Sequence, residues 1–402
     1  MNPRRWFGVA VLLPALACSA CTGTTEPGPA FTTATSTPTR PPASGSAAPG
    51  IRLPGTLLPG MPAPLSSTDV WAADRPGLFA PAVRKIPERI YVPNSKSDTV
   101  TEIDPRTYKV LRTFRVGHEP QHVVPSYDLR ILWVNNDLGN SLTPINPRTG
   151  LPGRAIAVHD PYNLYFTPDG KHAVVMASSD RQLVFRNPHT MAIQKTVPTP
   201  CAGVNHADFA ADGRTFVVSC EFSGQLLLVD TAAERVLKVL RLPMRPGKMP
   251  PMPQDVKLSP DGTVYYIADM MSDGVWVLSA RSFAVQGFIP TGKGAHGLYV
   301  TRDSRRLIIT NRDEGSISLL DFSSRRLVAK WRLPGGGSPD MGGVSPDGTV
   351  LWVSGRYNGV VYAVRLSTGK LLARIKVGSG PHGLAVFPQP GRYSLGHTGV
   401  FR

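Results

Sequence analysis

The 402 residues hold 44 Lys+Arg against 28 Asp+Glu, a formal charge of +16, and are 41% hydrophobic. That length allows one large or two ordinary domains, and that apolar fraction is ordinary for a soluble globular chain. The positive charge raises nucleic-acid binding. The basic residues, however, are scattered along strands and turns with no basic helix or stacking-aromatic motif, so no nucleic-acid partner is expected; attraction to an anionic membrane or cell-wall surface fits a diffuse charge better.

The N-terminus sets the compartment. Arg4-Arg5 precedes a short apolar run, Trp6 to Ala17, and then small residues. This is an export signal, too short to span a bilayer. The stretch Ala15-Leu16-Ala17-Cys18-Ser19-Ala20-Cys21 resembles the bacterial lipobox, with Cys21 or Cys18 as lipid acceptor. The resemblance implies an exported membrane lipoprotein facing outside the cytoplasm; plain secretion is the alternative. Residues 1–21 are thus read as signal peptide and lipobox. Residues 22–66, rich in Thr, Pro, Ala, Ser and Gly with almost no charge, read as a disordered tether, and 67–402 as the folded domain.

From Arg89 the chain repeats. Turns recur at Pro168-Asp169-Gly170, Ala211-Asp212-Gly213, Pro260-Asp261-Gly262 and Pro346-Asp347-Gly348, with Asp303-Ser304 in the same slot, at a spacing of about 44 residues. After each turn comes a strong apolar strand, such as Leu132-Trp133-Val134-Asn135-Asn136 or Leu307-Ile308-Ile309-Thr310-Asn311. A third strand follows, as in Leu226-Leu227-Leu228-Val229-Asp230, and a fourth, as in Arg374-Ile375-Lys376-Val377-Gly378. Short β-branched and aromatic runs between Asp-Gly turns argue antiparallel strands. The fold class is all-β: a seven-bladed β-propeller with four-stranded antiparallel blades. The first unit, at Arg89, opens on its second strand, and the segment from Gly380 to Val386 supplies only a first strand. The first blade is therefore closed by the C-terminal strand, which removes two sheet edges at once.

The strand ends at Asn94, Asn136 and Thr310-Asn311, the ends Ile103-Asp104 and Leu320-Asp321, and the Pro381-His382-Gly383 opening resemble the YVTN-type (surface-layer or YncE-like) β-propellers. The resemblance covers roughly residues 85–390 and implies seven blades. Members include surface proteins, lyase- and lactonase-like enzymes and a domain fused into nitrous oxide reductase, so it fixes the fold far better than the activity.

Propeller geometry places the start of each first strand at the mouth of the central channel. Those starts are Gln121-His122, Tyr162-Asn163, Asn205-His206, Gln254-Asp255, His296-Gly297, Asp340-Met341 and His382-Gly383. His122, Asn163, His206, Asp255, His296, Asp340 and His382 are the candidate binding residues. His122, His206, His296 and His382 are the candidate metal ligands, since imidazoles bind metals or shuttle protons. The plain alternative is that polar residues at a channel mouth meet water or hydrogen-bond a neighbouring backbone. Arg312 and Arg356, on loops after second strands, would clamp a carboxylate or phosphate, or else pair with Asp269 or Glu314 on the rim.

The long loop Met244 to Pro253, with Met270-Met271 and Met341, suggests either thioether ligation of copper or simple packing. Cys201 and Cys220 fall side by side across a hairpin, which suggests a disulfide in an oxidising compartment; a buried thiol pair or soft-metal ligands beside His206 are the alternatives. The chain has no Gly-x-Ser-x-Gly elbow, His-Glu-x-x-His, phosphate loop or Cys-x-x-Cys-His. The expectation is a monomeric, membrane-anchored module that binds a cell-envelope ligand or protein through its mouth. No cofactor is required, though a metal ion is possible. A lyase- or lactonase-like enzyme, or a metal- or redox-linked propeller, is the second reading.

Overall fold

The computed structural model describes residues 56–397 and 399–402, so the signal, both lipobox cysteines and most of the tether lie outside the described residues. Within them the strands form seven antiparallel sheets, the blades of one ring. Blade 4 shows the plan, with strands Val204–Phe209, Thr215–Cys220, Gln225–Asp230 and Arg235–Arg241 running outward from the axis. Its first strand is buried throughout, while its last alternates between exposed and half-buried. This gradient explains why inner strands lack the period-two alternation that a half-solvated outer strand shows.

The turn between first and second strands is stabilised by a repeated hydroxyl–carboxylate pair. Thr167 Oγ1 donates to Asp169 Oδ1 at 2.7 Å, Ser126 Oγ to Asp128 at 2.7 Å and Thr301 Oγ1 to Asp303 at 2.6 Å. Gly170 and Gly262 then take φ of +68° and +69°, where a β-carbon is disfavoured, and Ser304 tolerates φ +57° in the equivalent slot. Blade 2 departs from the plan. Its outer strand is split into Leu151–Pro152 and Ile156–Ala157. Pro152 has no amide proton to continue the ladder.

The ring closes as expected. Ala385–Phe387 pairs antiparallel with Arg89–Asn94, with Ile90 opposite Val386, and the His382 amide donates to the Pro93 carbonyl at 3.0 Å. Ile90, Val92 and Val386 of blade 1 share one buried cluster with Trp352, Val361 and Ala363 of blade 7, so the closing strand also completes an interblade core.

Both ends of the described chain pack more than the sequence suggests. The packed body begins upstream of residue 67. Leu58 is buried and its amide donates to the Asp212 carbonyl at 2.8 Å, while Arg214 Nε donates to the Thr56 carbonyl at 2.8 Å. Trp71, also buried, donates from Nε1 to the Leu258 carbonyl at 3.0 Å. This segment lies across the face that carries the Asp-Gly turns. Leu58 gives the end of the read tether the apolar surface that its Thr/Pro-rich part lacks.

Beyond Phe387 the chain turns into the channel. The Phe166 amide donates to the Leu395 carbonyl at 2.9 Å and the His397 amide to the Leu164 carbonyl at 3.0 Å, joining the tail to the inner strand of blade 3. Arg402 Nη2 donates to Asp208 Oδ1 at 2.9 Å, and its guanidinium lies 3.9 Å from the Trp71 ring centre. Tyr393, Leu395, Val400 and Phe401 are buried. Each such side chain contributes about 1.5–3 kcal/mol, while fixing each backbone residue costs about 1–2 kcal/mol, so apolar packing does little more than offset ordering. The polar anchors decide where the tail sits.

Candidate functional site

The inner strands start at the mouth and place their first polar residues there. Several of these groups join blades. Asp255 Oδ2 accepts from the Leu298 amide of blade 6 at 2.9 Å, and Asp208 Oδ2 from the Leu258 amide of blade 5 at 2.8 Å. His122 Nδ1 donates to the Tyr162 carbonyl of blade 3 at 2.9 Å. For these atoms the plain alternative, hydrogen bonding to a neighbouring backbone, describes what the sequence left open.

Four of the five channel imidazoles form a chain of ring contacts from blade to blade. His122 lies 5.6 Å from His206 and 4.9 Å from His382, centre to centre, and His296 lies 6.4 Å from His206 and 5.7 Å from His382. All are buried. Burial pushes His122 down to about 4 and His296 to about 3, and holds His206 and His382 well below the usual histidine range. Burial thus favours the uncharged form of each ring.

Asp340 is the electrostatic centre of the mouth. It is fully buried. His382 Nδ1 donates to its Oδ2 at 2.6 Å, and Arg312 Nη1 to its Oδ1 at 3.2 Å. His296 Nδ1 lies 3.1 Å from Oδ1 and Arg356 Nε 4.0 Å from Oδ2. Burial opposes its charge, but His296, His382 and Arg312 outweigh burial and hold the carboxyl well below the usual range. One carboxylate thus faces two guanidiniums. Arg312 Nε and Arg356 Nη1 are buried without a hydrogen-bond partner. The rim pairing with Asp269 or Glu314 does not form: Asp269 accepts from Trp276 Nε1 at 2.7 Å, and Glu314 pairs with Lys330 and Arg332.

Two of the four candidate histidines, His122 and His206, converge, joined by a third that was not among the candidates. His296 and His382 are held on Asp340, and the imidazoles that converge as a set are His122, His206 and His397, with one ring nitrogen of each within 4.8 Å of the others. Sequence reasoning missed His397 because it lies past the last strand. The available signal was Gly396 and Gly399 beside it. Gly396 takes φ +92°, and a β-carbon there would fall 2.4 Å from the Leu164 carbonyl oxygen, so the turn that presents His397 against blade 3 needs glycine. Asn163 links the set: its Nδ2 lies 3.2 Å from His206 Nδ1, 3.1 Å from His397 Nδ1 and 3.1 Å from the Asn205 carbonyl oxygen.

The methionines differ in their surroundings. Met244 and Met249 are exposed, whereas Met341 is buried and the buried Met270 sulfur rests against the Arg312 guanidinium. Cys201 and Cys220 form a disulfide with Cα atoms 6.0 Å apart.

A family model described as a YNCE-like beta-propeller matches residues 79–392. The chain is a YNCE-like β-propeller. No curated protein matches it. Among solved structures, this YNCE-like propeller is similar to hydrazine synthase of Kuenenia stuttgartiensis at 18% identity and TM-score 0.56, over 65% of this chain and 87% of that one. It is also similar to a functionally unknown protein from Desulfotomaculum acetoxidans, at 15% identity and TM-score 0.60, over 74% and 98%. A third is the dihydro-heme d1 dehydrogenase NirN, at 13% and 0.57, over 81% and 78%. Likenesses this distant carry the propeller fold and no activity.

Proposed function

We propose that this YNCE-like propeller is an exported, lipid-anchored binding module whose mouth takes a small anionic ligand of the carboxylate or phosphate class. The observation that carries the reading is the pair of guanidiniums, Arg312 and Arg356, that share the buried Asp340 carboxylate while Arg312 Nε and Arg356 Nη1 are buried without a hydrogen bond, Asp313 standing 3.9 Å from the former. A planar anion offers the acceptors these donors lack. The formal charge of +16 draws anions toward the molecule. Neutral imidazoles and the exposed Tyr357 ring, 5.4 Å from the Arg312 guanidinium carbon, would line one side of such a ligand. Export is supported by the N-terminal signal and by the Cys201–Cys220 disulfide, a bond of oxidising compartments.

The test is thermal unfolding and calorimetric titration with citrate, succinate and inorganic phosphate. A ligand at 100 times its Kd adds about 2.7 kcal/mol of stability. Wild type should respond to at least one anion in a salt-resistant way, and the R312M/R356M double variant should not. A folded wild-type protein indifferent to all three at millimolar concentration, or a double variant that responds equally, would overturn the reading.

A further inference from the structure

We propose that His122, His206 and His397 bind one transition-metal ion of the zinc–copper class, with the C-terminal tail delivering the third ligand. The three ring nitrogens come from three separate pieces of chain, the inner strands of blades 2 and 4 and the tail, and lie within 4.8 Å of one another. A tetrahedral ion with bonds of about 2.0–2.1 Å holds its nitrogens about 3.3 Å apart, so shifts of about an ångström by each ring close the set.

The hydrogen bonding fits ligation. His122 spends its Nδ1 proton on the Tyr162 carbonyl, which leaves Nε2 as a lone pair, buried and without a partner. A backbone carbonyl behind the outer nitrogen is the usual support of a metal-bound imidazole. His206 Nε2 is likewise buried and unpartnered. Asn163 stands between the two remaining Nδ1 atoms. Its amide has two protons, one directed at the Asn205 carbonyl oxygen, while two imidazole Nδ1 atoms compete for the other. Three neutral nitrogen donors without thiolate or a first-hand carboxylate suit zinc or copper and not calcium or magnesium. The nearby charges are mixed: Asp255 Oδ1 lies 3.7 Å from His397 Nε2 and also 3.8 Å from Lys257 Nζ.

Because the site is buried, loading accompanies folding. The full-length untagged chain is therefore produced in medium containing Zn(II) or Cu(II), passed over chelating resin, and its metal counted by mass spectrometry. One ion per chain is expected, and the copper form should show nitrogen hyperfine splitting from imidazoles in its electron paramagnetic resonance spectrum. H397Q should retain at least tenfold less metal, while a variant of the exposed His189, H189A, should retain the wild-type amount. H397Q is compared with wild type by circular dichroism in chelator, so that loss of fold is not scored as loss of a ligand; if it is misfolded, H206Q takes its place. A folded wild-type chain that retains no ion, or an H397Q chain that retains a full equivalent, overturns the proposal. Citrate binding in metal-free protein is scored separately, so the two proposals fail independently.

Discussion

Replacing Asp340 by Asn tests the electrostatic account of the mouth most directly. The carboxylate is buried between Arg312, Arg356, His296 and His382. Asn keeps the shape and removes the charge, so Arg356 loses its carboxylate and Arg312 keeps only the more distant Asp313, 3.9 Å away. Breaking a buried ion pair from one side costs about 3–5 kcal/mol. The expected result is a loss of that size in urea unfolding at pH 7, with little change in the slope against urea. The pH dependence has a definite sign. The folded carboxyl titrates well below its ordinary value. Its stabilisation is therefore fully present above the unfolded value of about 3.9 and fades as pH falls toward the folded one. The gap between wild type and D340N should be flat from pH 7 to 5 and then narrow by about 1.4 kcal/mol for each pH unit below about 4. A variant within about 0.5 kcal/mol of wild type at pH 7 would mean that the guanidiniums find solvent or other partners, and the account of the mouth would be wrong.

Removal of residues 380–402 should abolish the wild-type cooperative thermal transition, because it takes away the closing strand Ala385–Phe387 and the channel-filling tail together; a truncated chain with an unchanged melting temperature would contradict ring closure. Asp74 is raised to about 7 because burial outweighs its ion pair with Arg302 at 3.2 Å. A raised carboxylate costs stability as pH climbs above its unfolded value, so wild type should lose up to about 4 kcal/mol relative to D74N between pH 4 and 8, measured by chemical unfolding across that range. The double variant C201A/C220A should lose about 3 kcal/mol in non-reducing urea melts, the loop-closure value for a separation of 19 residues, and wild type should fall to the same stability in reductant.

The blades were legible in the chain because their signals are local. A period near 44 residues, Asp-Gly turns that need a positive φ, and β-branched runs between them all act over a few residues, and a repeat forces the same solution each time. The unfinished segment at Gly380 to Val386 was also legible, since a half-blade at each end has one economical pairing. The starts of the inner strands could be read as mouth residues for the same reason. Which of them join blades and which face the channel could not. Asp255 is the third residue of its inner strand and Asp340 the second of its own; the first accepts backbone amides and the second gathers Arg312, His296 and His382. The groups each one meets come from neighbouring blades, tens of residues away. The pairing of Arg312 with Asp340, one blade over, was not legible for the same reason. The ends of the chain carried no period to read. Leu58, Trp71, His397 and Arg402 find their places only when a closed ring presents a turn face and a channel to fill. Local backbone preference and repetition determined the seven blades and their order. The tertiary structure alone decided the imidazole set, because His397 reaches His122 and His206 through space that exists only after the ring has closed.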